Sequence, residues 1–113
     1  MAGHISITPI AGQVHVSVGD LVLGTSLGAL ELREGSYPPI IYVPRADLDM
    51  ARLERSERTT TCPWKGMANY YSVRTESGLL ADAVWTYEGP KADVAAIAGH
   101  LAFYTDRVTV RRG

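Results

Sequence analysis

Thiols are all but absent from this sequence. Cys62 is the one cysteine among 113 residues, so no disulfide can form within the chain, and neither paired-cysteine zinc spacing nor an iron-sulfur site is available. A reducing cytoplasm is the compartment that suits such a chain. Lysine is nearly as scarce, with Lys65 and Lys91 the only two among 11 basic residues. Charge of one sign is missing as well: 11 basic against 12 acidic residues leave a net charge of -1, without the basic excess that nucleic acid or an anionic membrane surface requires. No apolar run approaches the length of a membrane span, and the Met-Ala-Gly-His start lacks the basic cap and apolar stretch of a signal peptide. The expectation is a cytoplasmic protein, neither exported nor embedded, whose partner is a small molecule or another protein.

What the chain does contain is 46% hydrophobic and 20% charged residues in 12.2 kDa, the profile of one globular domain over residues 1–113. Surface scaling takes about 17,700 Å² of unfolded chain to about 6,100 Å² folded, enough burial for a core without staples. Turn signals recur at Gly12, Gly19-Asp20, Gly24, Gly28, Glu34 to Pro39, Thr75 to Gly78 and Gly89-Pro90. Between them stand alternating or β-branched runs at 5–7, 14–18, 21–23, 29–33, 39–43, 69–74, 79–87 and 101–110, which predict seven or eight mostly antiparallel strands. The Thr75-Glu76-Ser77-Gly78 turn predicts a hairpin that sets Tyr70-Tyr71 beside Trp85. Pro90 followed by Ala92, Val94, Ala95, Ala96, Ile97 and Ala98, with Gly99 as a stop, predicts one short helix. The mixed-charge segment 47–58 reads as a helical turn or an irregular excursion with a solvated face.

Three groupings carry candidate chemistry. In Thr61-Cys62-Pro63-Trp64-Lys65-Gly66 the only thiol lies three residues from a lysine, and an ammonium beside a thiol favours its thiolate. Cys62 is equally readable as a small buried hydrophobe, and Lys65 as a solvated turn residue or as an anion anchor and proton donor. In Asp82-Ala83-Val84-Trp85-Thr86-Tyr87-Glu88 alternation puts Trp85 and Tyr87 on one face, where with Tyr70 they form either core or the wall of a pocket with Glu88 at its rim. In Gly99-His100-Leu101-Ala102-Phe103-Tyr104, His100 at a helix C-terminus is a proton carrier or a cap for the last carbonyls. No histidine shows ligand spacing, so no metal and no cofactor is expected. Gly35-Ser36 followed by Asp47-Leu48-Asp49 resembles the glycine-serine and paired-aspartate pattern of nucleotidyltransferases. That chemistry needs a helix directly after the Gly-Ser turn, and Tyr37-Pro38-Pro39 forbids one, so the pattern is set aside.

Four separated blocks, Tyr37 to Arg45, Thr61 to Gly66, Asp82 to Tyr87 and Ile97 to Tyr104, resemble in order the small bacterial family known as domain of unknown function 427, over about residues 14–110. The family's Cys-Pro-aromatic-Lys-Gly block falls on Cys62, Pro63, Trp64, Lys65 and Gly66, with Trp where Tyr is commoner. Its later aromatic and acidic positions fall on Trp85, Tyr87, Glu88, Phe103 and Tyr104, and Gly89-Pro90 stands where the family continues Asp-Pro. The resemblance implies a mainly β, compact, curved antiparallel domain of the β-tent type with one short helix towards its C-terminus. Such domains are similar to ones that bind small ligands or reduce methionine sulfoxide, often with zinc on cysteine pairs that this chain lacks.

Together these features lead to the expectation of an aromatic-lined pocket that binds a small polar organic molecule. Arg45 and Lys65 would hold an anionic group, Tyr70, Trp85, Tyr87 and Tyr104 would form walls, and Cys62, Glu88 or His100 would move protons or attack, as in a cyclase, isomerase or hydrolase. The alternatives are a non-catalytic ligand-sensing or protein-interaction module and a purely structural partner subunit. Either a monomer or a homodimer is compatible with the residues.

Overall fold

Val14 and Val16 alternate with His15 and Ser17, and in a computed structural model describing residues 4–113 that alternation buries both valines completely. Ten strands form by the same logic: β1 (Ile5–Pro9), β2 (Val14–Val18), β3 (Leu21–Ser26), β4 (Leu30–Glu34), β5 (Ile40–Pro44), β6 (Leu53–Cys62), β7 (Gly66–Thr75), β8 (Gly78–Thr86), β9 (His100–Phe103) and β10 (Thr109–Arg112). They build two antiparallel sheets, one of seven strands in the order β1-β4-β5-β9-β8-β7-β6 and one of three in the order β10-β2-β3. The accessible surface is 6280 Å², close to the scaling value. Among the described residues no helix is long and apolar enough to cross a membrane.

The middle of the seven-stranded sheet is covered on both faces, so β7 is half-buried or buried at every position from Ala68 to Val73. Tyr71 and Val73 turn towards the three-stranded sheet, joining Val14, Val16, Leu23, Val43, Val84 and Leu101 in one core. Ala68 and Tyr70 turn the other way, into a second core with Leu32, Tyr42, Tyr87 and Ala102. Each fully buried Val or Leu here contributes about 1.5–3 kcal/mol. Gly24 makes the first core possible. A Cβ there would drive into the backbone of Asp47 and Leu48, where β3 meets Leu48.

Register shifts between Arg55 and Thr59 and between Tyr71 and Val73 mark bulges, the second with Asp82 at φ 51° and its N–H donated to Ser72 Oγ at 3.0 Å. Bulges bend strands and increase twist. The sheet curls so far that its flanks meet: Glu34, on the second strand from one edge, touches Lys65 in the loop joining the last two strands at the other. The second core therefore lies in a trough, with Val94 and Ile97 packed into it.

The hairpin at 75–78 forms as the turn residues predict, with Thr75 opposite Gly78 and Tyr70 opposite Trp85. Three expectations need correction. The expected α-helix is a six-residue 3₁₀ segment, Ala92–Ile97, broken at Val94 (φ -125°, ψ 26°) and without a side-chain N-cap. Alanine propensity over so few residues does not overcome the cost of nucleation. Segment 47–58 is not an excursion: after the short 3₁₀ turns Arg45–Asp47 and Met50–Arg52 it becomes the edge strand β6. Its Glu54, Arg55, Glu57 and Arg58 are exposed as foreseen, but they guard an open sheet edge against pairing. The run 101–110 is two strands, separated by a turn at 104–108.

Candidate functional site

Cys62 pairs with Gly66 across a three-residue loop, and Gly66 takes φ 110°, a left-handed conformation that glycine adopts without strain. That closure carries Lys65 inward. The residue is 8% exposed, Nζ lies 2.7 Å from Glu34 Oε1 and 3.5 Å from Cys62 Sγ, and its carbonyl accepts from the Lys91 N–H at 2.9 Å. A cation removed from water needs a partner, and Glu34 supplies one from across the trough. The Lys65 hydrogen bond holds the Glu34 carboxyl below its ordinary range despite burial. On the outer side His4 Nε2 stands 3.5 Å from Glu34 Oε2, and its ring meets Trp64 edge to face at 4.7 Å. Cys62 is half-buried, with an ammonium at its sulfur.

The floor beside this group is aromatic. Trp85 Nε1 donates to Tyr42 OH at 3.3 Å, Trp85 and Tyr104 pack at 4.7 Å between ring centroids, and Thr60 Oγ1 and Tyr70 OH are 2.9 Å apart. Arg58 lies over the Tyr70 ring at 4.8 Å and Arg107 over Tyr104 at 5.2 Å. Burial pushes the Tyr42 hydroxyl up to about 12 and raises Tyr87 and Tyr104 as well. These hydroxyls stay protonated near neutrality and act as hydrogen-bonding groups rather than as bases. Tyr70, Trp85, Tyr87, Tyr104, Cys62 and Lys65 thus come together as one constellation.

Arg45, Glu88 and His100 do not join it. Glu88 is not at the rim of the aromatic wall: it is held by Arg55 through Nη1–Oε2 at 2.7 Å and Nη2–Oε1 at 3.1 Å, which keeps its carboxyl below the ordinary range. Arg45 donates to Tyr71 OH at 2.8 Å, and Tyr71 belongs to the first core, on the opposite face of the sheet from Lys65. One residue of strand alternation separates Tyr70 from Tyr71 and sends the two groups apart. His100 opens β9, three residues beyond the end of the 3₁₀ segment, with Nδ1 3.0 Å from Ala98 O.

The comparison with protein families falls on the same span. The model of a family described as a domain of unknown function, DUF427, matches residues 6–112. The chain belongs to that family. No curated protein matches it.

Sequence reasoning overlooked three residues of this DUF427 chain that the trough assembles: Glu34, His4 and Tyr42. Glu34 lies 31 positions from Lys65 at the start of a stretch whose residues signal a turn, so only the curl of the sheet reveals the pair. The set-aside Gly35-Ser36 pattern leads into strand β5, while Asp47 accepts from Ser26 Oγ at 2.6 Å and Asp49 from the Ala51 N–H at 3.3 Å. A cleft of about 480 Å³ lies elsewhere, lined by residues that include Asp20, Arg52, Glu76 and Leu80. It contains none of the thiol, lysine or aromatic groups described above, so its size does not make it the site of chemistry.

Proposed function

We propose that this DUF427 protein is a small-molecule-binding β-domain working as an acid-base enzyme of the cyclase, isomerase or hydrolase kind on a small polar organic substrate in a reducing, cytoplasmic setting. The observation that carries the reading is the buried Lys65 ammonium, oriented by Glu34 and in reach of the Cys62 thiol beside an aromatic wall. Two of its three N–H directions are taken by Glu34 and Cys62, and the third serves an anionic or carbonyl oxygen of the ligand. Negative charge that develops on such an oxygen is stabilised by a cation already in place and partly shielded from water. Cys62 is positioned to exchange a proton with the same ligand, and Trp85, Tyr70 and Tyr104 orient its apolar part.

The test uses the solitary thiol. A panel of small hydroxy and keto compounds bearing one anionic group is screened for slowing the alkylation of Cys62 by iodoacetamide, followed by mass spectrometry of the recovered compound. The reading expects at least one compound to protect Cys62 in the parent, to lose that protection in Lys65→Met, and to return chemically changed. Protection of equal strength in Lys65→Met overturns the assignment of Lys65 as the anchor.

A second reading, a non-catalytic ligand-sensing or protein-interaction module, is favoured by one observation. Arg58 and Arg107 already lie over the rings of Tyr70 and Tyr104, as they would in a cage built to hold a ligand rather than to turn it over. Protection with recovery of the unchanged compound selects this reading.

A further inference from the structure

On the face away from Lys65, two arginines converge on one hydroxyl. Arg45 Nη1 lies 2.8 Å and Arg55 Nη1 3.5 Å from Tyr71 OH, and both guanidinium carbons stand over the Tyr71 ring, at 5.7 and 5.9 Å. Tyr71 is 4% exposed, so its ring is a fixed platform that the two guanidiniums cover and whose hydroxyl they share. The arginines come from separate elements: Arg55 is the cross-strand neighbour of Tyr71 on β6, and Arg45 follows β5 with its N–H tied to Gly99 O at 3.2 Å. Like charges brought this close repel unless an anion sits between or beside them.

One anion is present. Glu88 grips Arg55 with both carboxylate oxygens, and Arg45 acts on its charge without forming an ion pair with it. Among the described residues Arg45 has no carboxylate partner. Two cations therefore face one carboxylate, and Tyr71, which accepts from both arginines, retains its own proton for a further acceptor. The bidentate grip on Glu88 displays the shape this corner recognises, a planar group offering two oxygens to a guanidinium fork.

We propose that Arg45, Tyr71 and Arg55 form a second binding site, for a small oxyanion of carboxylate or phosphate chemistry. Glu88 occupies the Arg55 half of it when the site is empty. The incoming anion accepts from the free edge of the Arg45 guanidinium and from the Tyr71 hydroxyl, and it competes with Glu88 for Arg55. This site shares no residue with the Lys65 centre and stands whether or not that centre is catalytic.

Nitrogen-15 NMR of the arginine side chains in the intact protein tests the site, with sodium phosphate and sodium acetate titrated separately at constant ionic strength. The Arg55 Nε–H signal serves as reporter because it survives in every variant. A saturable shift is expected in the parent, weakened roughly tenfold in Arg45→Met and in Tyr71→Phe, and tightened severalfold in Glu88→Gln, where the competing carboxylate is gone. Arg45 is exposed, and Tyr71→Phe keeps the buried ring, so both variants retain the fold, which their backbone spectra verify. Stronger response to phosphate assigns a phosphate-type ligand, and stronger response to acetate a carboxylate-type one. Shifts that fail to saturate with either anion, or equal affinity in parent and Arg45→Met, overturn the site.

Discussion

The two faces of the seven-stranded sheet each hold a carboxylate against a cation, in different surroundings. Lys65 and Glu34 meet at 2.7 Å with side chains 10% and 20% exposed, whereas Arg55 and Glu88 meet at the same 2.7 Å with side chains 48% and 42% exposed. Equal distance does not mean equal consequence. In the trough, removing one partner leaves the other charged and desolvated, while on the open corner water replaces what is lost. The contrast also separates two kinds of recognition: a buried ammonium held by Glu34 and Cys62 with one N–H direction left, and a pair of exposed guanidiniums sharing one carboxylate.

Replacement of the carboxylates breaks the comparison most directly. Glu34→Gln strands the Lys65 ammonium in the trough and is expected to cost about 3 kcal/mol in urea unfolding. Glu88→Gln is expected to cost under about 1 kcal/mol, because both partners are near half-exposed and solvent screens them. Equal losses would show that the trough is wet and that the burial of Lys65 has no energetic meaning.

Acid and alkali sharpen the same contrast. Lys65 lowers the folded pKa of Glu34 beneath its ordinary 4.5, so the stability it provides is present above that value and is lost as pH falls through the folded pKa. Glu88, lowered by Arg55, has the same sign but acts through a more exposed pair. Unfolding free energy measured from pH 7 downward should fall for the parent and flatten appreciably in Glu34→Gln, but only slightly in Glu88→Gln. On the alkaline side the sign reverses. Tyr42 is raised from 10.0 to about 12, so its contribution is complete below pH 10 and disappears as pH climbs towards 12. Tyrosinate absorbance should rise in two stages, the later one from the trough.

Several turns and strands around these pairs were legible in the residues; the pairs themselves were not, for a physical reason. Local signals worked where the determinants were local. The Thr75 to Gly78 turn, the Val14 to Val18 alternation and the Cys62 to Gly66 loop each contain within a few residues the geometry they adopt. Long-range curvature has no such local sign. Glu34 meets the Lys65 loop only because bulged strands curl the sheet across the three strands between β4 and β7, and His4, just ahead of β1, comes with it. The edge strand β6 was hidden for a different reason: its charges match a solvated helix face as well as a guarded edge, and pairing with β7 decides between them. Arg45 and Lys65 are the sharpest case. Sequence reasoning put them in one anion-binding pocket, and strand alternation across Tyr70 and Tyr71 puts them on opposite faces.

Salt gives the smallest effect and the finest division between the faces. At about 1 M ionic strength the screening length falls to about 3 Å, short enough to weaken a pair bathed in solvent but not one enclosed by protein. Double-mutant cycles for Lys65 with Glu34 and for Arg55 with Glu88, run by urea unfolding at low and at high salt, isolate each coupling from the other effects of substitution. The Arg55–Glu88 coupling should fall by a few tenths of a kcal/mol towards zero, and the Lys65–Glu34 coupling should keep most of its value. If both decline together, ions reach the trough as freely as the corner, and the shielding that gives Lys65 its chemical leverage is absent.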